Sequence, residues 1–390
     1  MNLSLCMIVK NEYDNMKKRL PKLSAMMDEI VVVDTGSNDG TYELCRQYNC
    51  MTVRMHEFDS FAAARNESIK HASGDWILVL DADEEILEED VRKIRNEIQA
   101  NREKAYRLSR YNYIGGGMWS VSNVIRLFQN GNGYCFERKV HETLRNSLKG
   151  AKTPLLDVYI HHFPSSTSYK NELYLSWLND YIRDNPGHYL LKDHLASEYF
   201  ALKCYDKAFG ILNELIESGV RFPRIYSNLA FMYLHLKEYG QAHDAFLTAY
   251  RMLAKDAQAD NSLQLDSVLS GLGIIAFEKG DYDQARSLFL EAIMHHKNAA
   301  HLYINLGLCM EKLRDYAESL RCYEAAASLN PYAAKEDIMF DHKGYENSIY
   351  SVCNVFIRHY NGLAWQMEAC KNKLIRNSCL NPAYFAGKNQ

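Results

Sequence analysis

Two aspartates directly follow an apolar run in the segment GDWILVLDADEEI. The run from Trp76 to Leu80 has the character of a buried strand, and Asp81 and Asp83 come next, two positions apart. Side chains two apart on an extended segment point the same way, so these carboxylates can converge. Close carboxylates repel each other unless a cation lies beside them. The pair therefore predicts a site for Mg2+ or Mn2+, which bind carboxylate oxygens and neutralise a departing diphosphate.

A second acidic strand end precedes this one in the chain. The apolar run EIVVV ends at Asp34, and the turn DTGSNDGT that begins there is rich in glycine and short polar residues. Ligands of open α/β sheets bind beyond the carboxyl ends of the strands. We therefore expect Asp34 and Asp81 to face one crevice. Glu84 and Glu85 are expected to begin a solvated helix, where acids interact favourably with the helix dipole.

The elements that position these acids follow from the alternation of residue types. Up to about residue 90, the short apolar runs LSLCMIV, EIVVVD, MTVRMHE and WILVLD are separated by amphipathic stretches. This alternation predicts parallel βαβ units with helices on both faces of the sheet. From 104 to 163, longer runs such as VSNVIRLFQ predict antiparallel or mixed strands at one edge. The expected class of this half is α/β.

Helical spacing replaces the strands after about residue 170. Equivalent small or aromatic residues recur 34 positions apart, namely Ala196 and Ala230, Gly273 and Gly307, and Phe289 and Tyr323. About nine extra residues separate the second and third units near AKDAQADNS. Small residues where paired helices cross, at a 34-residue period, are typical of tetratricopeptide repeats. A generic helical bundle is the alternative, but four units agree at several positions.

Composition restricts the partners of the chain. A net charge of −4 argues against broad attraction to nucleic acid or an anionic membrane. No apolar run approaches the roughly 18 residues that span a bilayer, and the N-terminus lacks the features of a signal peptide. The ten cysteines form no CxxC pair, which indicates neither a zinc site nor a disulfide framework. We therefore expect a cytoplasmic protein with reduced thiols.

Several segments together resemble the family 2 glycosyltransferases of the GT-A fold. They are CMIVKNE, VVVDTGSNDGT, FAAARNESIKHASGDWILVLDADEE, RLF and KVHETL, all within residues 1 to about 165. The repeats narrow the resemblance to bacterial members that carry them, a group that includes the peptide S- and O-glycosyltransferases of glycocin maturation. The resemblance implies a Rossmann-like GT-A domain over 1–165 and a helical linker over 166–189. The 34-residue period predicts tetratricopeptide-like repeats over 190–333, and C-terminal helices are expected over 334–390, as either a cap or a dimer surface.

The resemblance also assigns roles on the donor side. It implies that Asp34 pairs with the base of the sugar nucleotide, that Asp81 reaches the ribose or the metal, and that Asp83 binds the metal. Glu12, in VKNE, becomes a candidate for the base or ribose edge. The guanidinium group of Arg65, in ARN, can form bidentate hydrogen bonds either to phosphate or to an acidic neighbour. For Arg65 a structural salt bridge is an equal alternative.

Acceptor-side residues come from the later segments. An inverting transfer needs a base for the acceptor's proton, and we assign Glu142 of KVHETL to this role. Members of the family often carry an Asp or an ED pair here, so His141 is the alternative, as base or metal ligand. The resemblance suggests His161 or His162 as a third metal ligand. Adjacent residues on a strand point in opposite directions, so at most one reaches the ion, and a packed histidine is the alternative.

The expected function is thus a metal-dependent, inverting transfer of a hexose, such as glucose or a related sugar. The donor would be a UDP-sugar, the cofactor Mn2+ or Mg2+, and the acceptor a peptide or protein held by the repeats. One alternative is an enzyme that acts on lipid or cell-surface glycan. Another is a repeat scaffold whose degenerate N-terminal domain only binds nucleotide.

Overall fold

The structure is a computed structural model that describes residues 1–100, 102–115, 118–139, 142–163, 168–255, 262–335, 356–357 and 360–380. Contacts divide the chain into two compact units. The first comprises Met1–Asn112 and Val121–Asp180, and the second comprises Tyr113–Ser120 and Tyr181–Gln390. Within the described ranges, no helix combines the length and apolarity needed to cross a membrane.

The first unit is built on a mixed sheet whose strand order is β3-β2-β1-β4-β7-β6-β8-β5. Strands β1 to β4 are parallel, β7 runs antiparallel to β4, and β5 runs antiparallel to β8. This confirms the expected α/β class with additional strands at one edge. The strands are β1 (Leu3–Val9), β2 (Glu29–Asp34), β3 (Met51–Arg54), β4 (Trp76–Val79), β5 (Glu84–Ile86), β6 (Ala105–Gly115), β7 (Met118–Gln129) and β8 (Leu155–His162).

Apolar side chains cover both faces of this sheet. On β1, Leu3, Leu5 and Met7 belong to one buried cluster, whereas Cys6 belongs to another. Successive side chains of a strand point to opposite faces, so a central strand buried on both faces is expected to be mainly apolar. The helices are α1 (Tyr13–Met26), α2 (Thr41–Gln47), α3 (Phe61–His71), α4 (Glu88–Ala100) and α5 (Ser168–Asp184).

Two loops at the ends of β1 and β2 bind each other. The backbone N–H of Asn11 donates to Ser37 Oγ at 2.8 Å, and Asn38 N–H donates to Asn11 Oδ1 at 2.9 Å. Gly40, with φ of 92°, precedes α2 in a left-handed conformation that glycine adopts without strain. These contacts join the two loops at the carboxyl ends of the parallel strands.

The second unit consists mainly of helical hairpins. The pairs α6 with α7, α8 with α9, α10 with α11 and α12 with α13 pack together, and α14 packs on α13. This confirms the repeat architecture predicted from the 34-residue period. The helices are α6 (Tyr189–Ala201), α7 (Tyr205–Glu217), α8 (Pro223–His235), α9 (Tyr239–Lys255), α10 (Ser262–Glu278), α11 (Tyr282–His295), α12 (Ala300–Lys312), α13 (Tyr316–Leu329) and α14 (Leu363–Leu380).

The small residues of the repeat pattern lie under aromatic rings. A Cβ added to Gly307 would come within 2.4 Å of the Tyr323 ring, and one added to Gly273 would come within 2.8 Å of Phe289. Tyr323 and Phe289 are fully buried, so these rings have no free space in which to move. The glycines are therefore required for the close crossing of the two helices in each hairpin.

The tip of the β6–β7 hairpin belongs to the second unit. The Tyr113 hydroxyl donates to Asn330 Oδ1 at 3.0 Å. The Trp119 ring packs edge-on against Phe356, with ring centroids 4.7 Å apart. Both residues of the tip are almost completely buried. These contacts explain why 113–120 group with the helices that follow Asp180.

Candidate active site

The acidic strand ends lie at one edge of the sheet. Strand β1 pairs in parallel with β2, with Val9 opposite Asp34, and also in parallel with β4, whose last residue is Val79. The carboxyl ends of β2 and β4 therefore project from the same edge, as the sequence predicts. Asp34 ends β2, and Asp81 follows β4 by two residues.

Asp34 is buried and only partly satisfied. Its Oδ1 accepts the backbone N–H groups of Gly36 and Ser37 at 2.8 and 2.7 Å. Its Oδ2 is buried and accepts no hydrogen bond from the described residues. Buried polar atoms nearly always have a partner. This oxygen is therefore suited to accept a hydrogen bond from a bound ligand.

Glu12 is connected to the loop that carries Asp83. Glu12 Oε2 accepts from Asn15 Nδ2 at 2.7 Å, and Asn15 Oδ1 accepts from Arg19 Nη1 at 2.6 Å. Arg19 Nη2 in turn donates to the carbonyl oxygen of Asp83 at 3.4 Å. The first turns of α1 therefore join the two donor-side candidates through hydrogen bonds.

Two arginines bind Asp81. Arg65 Nη2 lies 2.7 Å from Asp81 Oδ1, and Arg126 Nη2 lies 2.9 Å from Asp81 Oδ2. Burial by itself would raise the pKa of Asp81, but the charges of Arg126 and Arg65 outweigh it and hold that pKa well below its usual range. Asp81 is therefore ionised, and each of its oxygens already has a cationic partner.

Arg65 also reaches the candidate base. Its Nε donates to Glu142 Oε1 at 2.9 Å, and its guanidinium lies 5.5 Å from the centre of the Phe136 ring. The sequence left open whether Arg65 binds phosphate or an acidic neighbour. In the structure it contacts two acidic neighbours. The other candidate base, His141, lies outside the described residues.

Glu84 has a different environment from the one that the sequence suggested. The expectation that it begins a solvated helix is wrong, because Glu84 lies on β5 with no exposed surface and α4 begins only at Glu88. Its Oε1 accepts from Arg110 Nη1 at 3.1 Å, and its Oε2 accepts the backbone N–H of Asp81 at 2.9 Å. Glu85 also lies on β5, where it pairs with Lys22 at 3.2 Å.

Arg110 and Arg126 were not predicted from the sequence. Arg110 lies in RLSRYNY, which also contains Arg107, and Arg126 is the one charge in VIRLF; arginines in such strand patterns are unremarkable. Strand β7 places Arg126 beside Asp81 and Glu84, while β6 places Arg110 beside Glu84. The only available signal was the RLF segment of the family resemblance.

The two adjacent histidines on β8 have different neighbours. His162 Nε2 lies 3.5 Å from Asp83 Oδ2, and His162 Nδ1 lies 2.9 Å from Asn112 Oδ1. The buried His161 ring packs against Tyr111, with centroids 5.8 Å apart. Of the two histidines left open as a third metal ligand, His162 is therefore the one beside Asp83.

The protein groups near Asp83 could bind a cation only if substrate and water oxygens complete its coordination shell. No group of three or more His, Cys, Asp and Glu side chains within the described ranges is arranged to hold a metal ion. Asp83 and His162 nevertheless offer an oxygen and a nitrogen 3.5 Å apart. Mg2+ characteristically takes one or two protein ligands and completes its shell with phosphate and water oxygens. Asp83 supplies a carboxylate of the kind such an ion uses, and His162 adds a nitrogen beside it.

Segments in both halves of the chain match known protein families. Residues 4–155 match the family described as Glycosyl transferase family 2. Residues 221–293 and 300–333 match two families described as Tetratricopeptide repeat.

Three curated relatives resemble parts of the chain. A TPR repeat-containing protein of Synechococcus elongatus is 36% identical over 146 residues, which cover 37% of this chain and 36% of the relative. The lipopolysaccharide core biosynthesis glycosyltransferase LpsC of Rhizobium meliloti is 32% identical over 152 residues, which cover 36% of this chain and 56% of the relative. The SPbeta prophage-derived glycosyltransferase SunS of Bacillus subtilis is 32% identical over 89 residues, or 22% and 21% of the two chains. These matches therefore span between about a fifth and just over half of the relatives' own lengths.

Proposed function

We propose that this chain, which carries a family 2 glycosyltransferase domain followed by tetratricopeptide repeats, is an inverting hexosyltransferase that transfers a sugar from a UDP-sugar to a peptide or protein. The observation that carries the proposal is the position of Arg65. Its guanidinium binds both Asp81, at the donor-side strand end, and Glu142, in the acceptor-side segment. One guanidinium group therefore holds together an acid from the donor-side motif and an acid from the acceptor-side motif.

On the donor side, Asp34 would bind the uracil. Its Oδ2 is a buried acceptor that takes no hydrogen bond from the described residues, and the uracil ring offers an N–H donor. The two backbone N–H groups on Oδ1 keep the carboxylate oriented. Glu12 would contact the ribose, because it lies at the start of α1 and is joined through Asn15 and Arg19 to the Asp83 loop.

Asp83 and His162 would hold the divalent cation, Mn2+ or Mg2+. When bound, such an ion neutralises the negative charge that develops on the leaving diphosphate. Asp81 is less suited to be a direct ligand, since both of its oxygens are bound by guanidinium groups. In this proposal Asp81 orients the arginines instead.

On the acceptor side, Glu142 would remove the proton from the nucleophile. Arg65 Nε holds Oε1 at 2.9 Å, which leaves Oε2 to accept the proton. A base must lie within hydrogen-bond distance of the proton that it abstracts, so a fixed carboxylate is an advantage. The acceptor then attacks the anomeric carbon from the face opposite the diphosphate.

The acceptor would be an extended peptide segment bound by the repeats. Stacked helical hairpins provide extended surfaces that commonly hold peptides. A glycan or lipid-linked acceptor is the second candidate, and the similarity to LpsC, a lipopolysaccharide core biosynthesis glycosyltransferase, favours it. Eight cysteines whose side chains the structure describes are free thiols. We therefore place the reaction in the reducing cytoplasm.

A product analysis tests the proposal. The full chain is incubated with Mn2+, a panel of UDP-hexoses, and two acceptor sets: peptides containing Ser, Thr or Cys, and lipopolysaccharide core oligosaccharides. Mass spectrometry should show the gain of one hexose on a peptide. Transfer to the oligosaccharides alone would instead establish the second candidate. UDP binding without transfer or donor hydrolysis would show that the protein is a scaffold.

A further inference from the structure

We infer that Arg126 is a positioning residue of the transfer reaction, and that it acts through Asp81 and Arg65 on Glu142. The inference rests on the proposed function, because it names a further residue of the same site. Arg126 lies within strand β7, and its Nη2 contacts Asp81 Oδ2 at 2.9 Å. The same nitrogen lies 3.6 Å from Glu84 Oε1.

Arg126 is part of a continuous series of charges that alternate in sign. The successive contacts are Arg110 to Glu84 at 3.1 Å, Glu84 to Arg126 at 3.6 Å, Arg126 to Asp81 at 2.9 Å, Asp81 to Arg65 at 2.7 Å, and Arg65 to Glu142 at 2.9 Å. Three cations balance three carboxylates in this series. Loss of any cation therefore leaves an excess of negative charge among the remaining groups.

Burial makes that balance necessary. The side chains of Glu84, Arg65 and Arg126 are 0, 5 and 8% exposed. The side chains of Asp81 and Glu142 are 24 and 17% exposed, so water replaces a missing partner only in part, and an unpaired charge in so restricted a site is unfavourable. The neighbours must then rearrange to recover a partner.

The rearrangement would be transmitted to Glu142. Without Arg126, Asp81 Oδ2 has lost its cation, so the carboxylate draws more strongly on Arg65, its other direct cationic contact among the described residues. Arg65 is also the residue that binds Glu142 Oε1. A shift of its guanidinium towards Asp81 therefore weakens the contact that orients the base. A misplacement of about 1 Å can reduce a rate by about 100-fold.

Steady-state kinetics of the full chain tests this inference. Arg126→Met should lower kcat by about 100-fold, with the KM for the UDP-sugar and the affinity for UDP changed by less than about threefold. Arg126→Lys should recover roughly tenfold of the lost kcat, since lysine restores the charge but not the planar fork. Arg107→Met is the matched control, because Arg107 lies on the neighbouring strand β6 and donates to the Thr153 carbonyl. It should leave kcat unchanged.

A double-mutant cycle separates a positioning role from a general loss of packing. If Arg126 acts through Glu142, then adding Arg126→Met to Glu142→Gln should not lower the residual rate further. An additional large loss in that background, or a folded Arg126→Met variant with wild-type kcat, overturns the inference. If Arg126→Met does not fold, Arg126→Lys decides, and a wild-type kcat for that variant overturns it.

The same measurements distinguish this inference from the function on which it rests. A wild-type chain that binds UDP but transfers no sugar refutes the proposed function, and the inference with it. A wild-type chain that transfers sugar while Arg126→Met is equally active refutes the inference alone.

Discussion

The Nε atom of Arg65 lies 2.9 Å from Oε1 of Glu142, and the contact joins helix α3 to the segment that follows β7. The same guanidinium binds Asp81 at 2.7 Å. Residues that are far apart in the sequence are thus held in one arrangement by a single side chain.

Glu142→Gln should lower kcat by at least about 100-fold, because an amide cannot accept the acceptor's proton. UDP affinity should be unchanged, since glutamine retains an oxygen that can accept from Arg65. Initial transfer rates and calorimetric titration with UDP check both statements. Glu137→Gln is the control, because Glu137 lies in the same region but binds Asn146. A Glu142→Gln enzyme with a normal kcat would remove Glu142 from the role of base.

Asp34→Asn should weaken UDP binding by about 10- to 100-fold. The variant can keep the oxygen that accepts from Gly36 and Ser37, but it replaces the unsatisfied Oδ2 acceptor with a donor. Loss of a hydrogen bond to a charged acceptor costs about 1.5–3 kcal/mol. Calorimetry gives the affinity, and an unaltered thermal midpoint shows that the turn is intact. Equal UDP affinity in the two proteins would exclude a role for Asp34 in nucleotide binding.

His162→Gln and His161→Gln form a matched pair for the metal. His162 lies beside Asp83, whereas His161 packs against Tyr111. Replacing His162 should raise the Mn2+ concentration for half-maximal activity by roughly tenfold or more. Even residues that only hydrogen-bond to metal ligands change metal affinity by about that factor when they are replaced. The other substitution should leave it unchanged. The reverse order of effects would reassign the ligand to His161.

Gly307→Ala should destabilise the repeats by about 1–3 kcal/mol, as overpacking of a buried position does. The added methyl group would lie 2.4 Å from the buried Tyr323 ring. Gly240→Ala, in α9, is the control, because nothing lies within 4 Å of the added Cβ. That variant should be equally or more stable than the wild type, since alanine favours helices over glycine. Urea unfolding measures both, and equal midpoints would contradict the packing argument.

His301→Phe should reduce the sensitivity of the protein to acid. Burial, with a smaller contribution from the charge of His296, lowers the pKa of His301 to about 3. The unfolded chain takes up this proton near pH 6.5, so the wild type loses stability as the pH falls below about 6.5 towards 3. The loss is at most about 1.4 kcal/mol per pH unit.

Urea unfolding between about pH 7 and pH 5 measures this effect. The wild type should lose more stability than His301→Phe over that interval. His295→Phe is the control, because His295 is exposed on α11. Its substitution should leave the slope of stability against pH close to that of the wild type. Parallel curves for the wild type and His301→Phe would contradict the prediction.

Features that depend on local pattern could be predicted from the sequence. The strand that ends before Asp81 follows from a continuous apolar run, and the hairpins follow from a period that places Gly273 and Gly307 under aromatic rings. In both cases residues close in the sequence determine the structure.

Features that depend on partners distant in the sequence could not be predicted. The apolar alternation of β7 does not indicate that Arg126 faces Asp81, because that requires the strand order of the whole sheet. The sequence around Glu84 resembles the start of a helix. The structure places Glu84 on β5, which pairs with β8, and Arg110 compensates its charge. The orientations of His161 and His162 likewise depend on the register between β8 and its neighbours.

The assignment of residues 113–120 to the second unit has a practical consequence for protein engineering. The chain crosses between units at three places, after Asn112, after Ser120 and within α5 after Asp180. A chimera that exchanges only the segment after 180 would separate Tyr113 and Trp119 from Asn330 and Phe356. Recombining these repeats with another catalytic domain therefore requires the transfer of two segments rather than one.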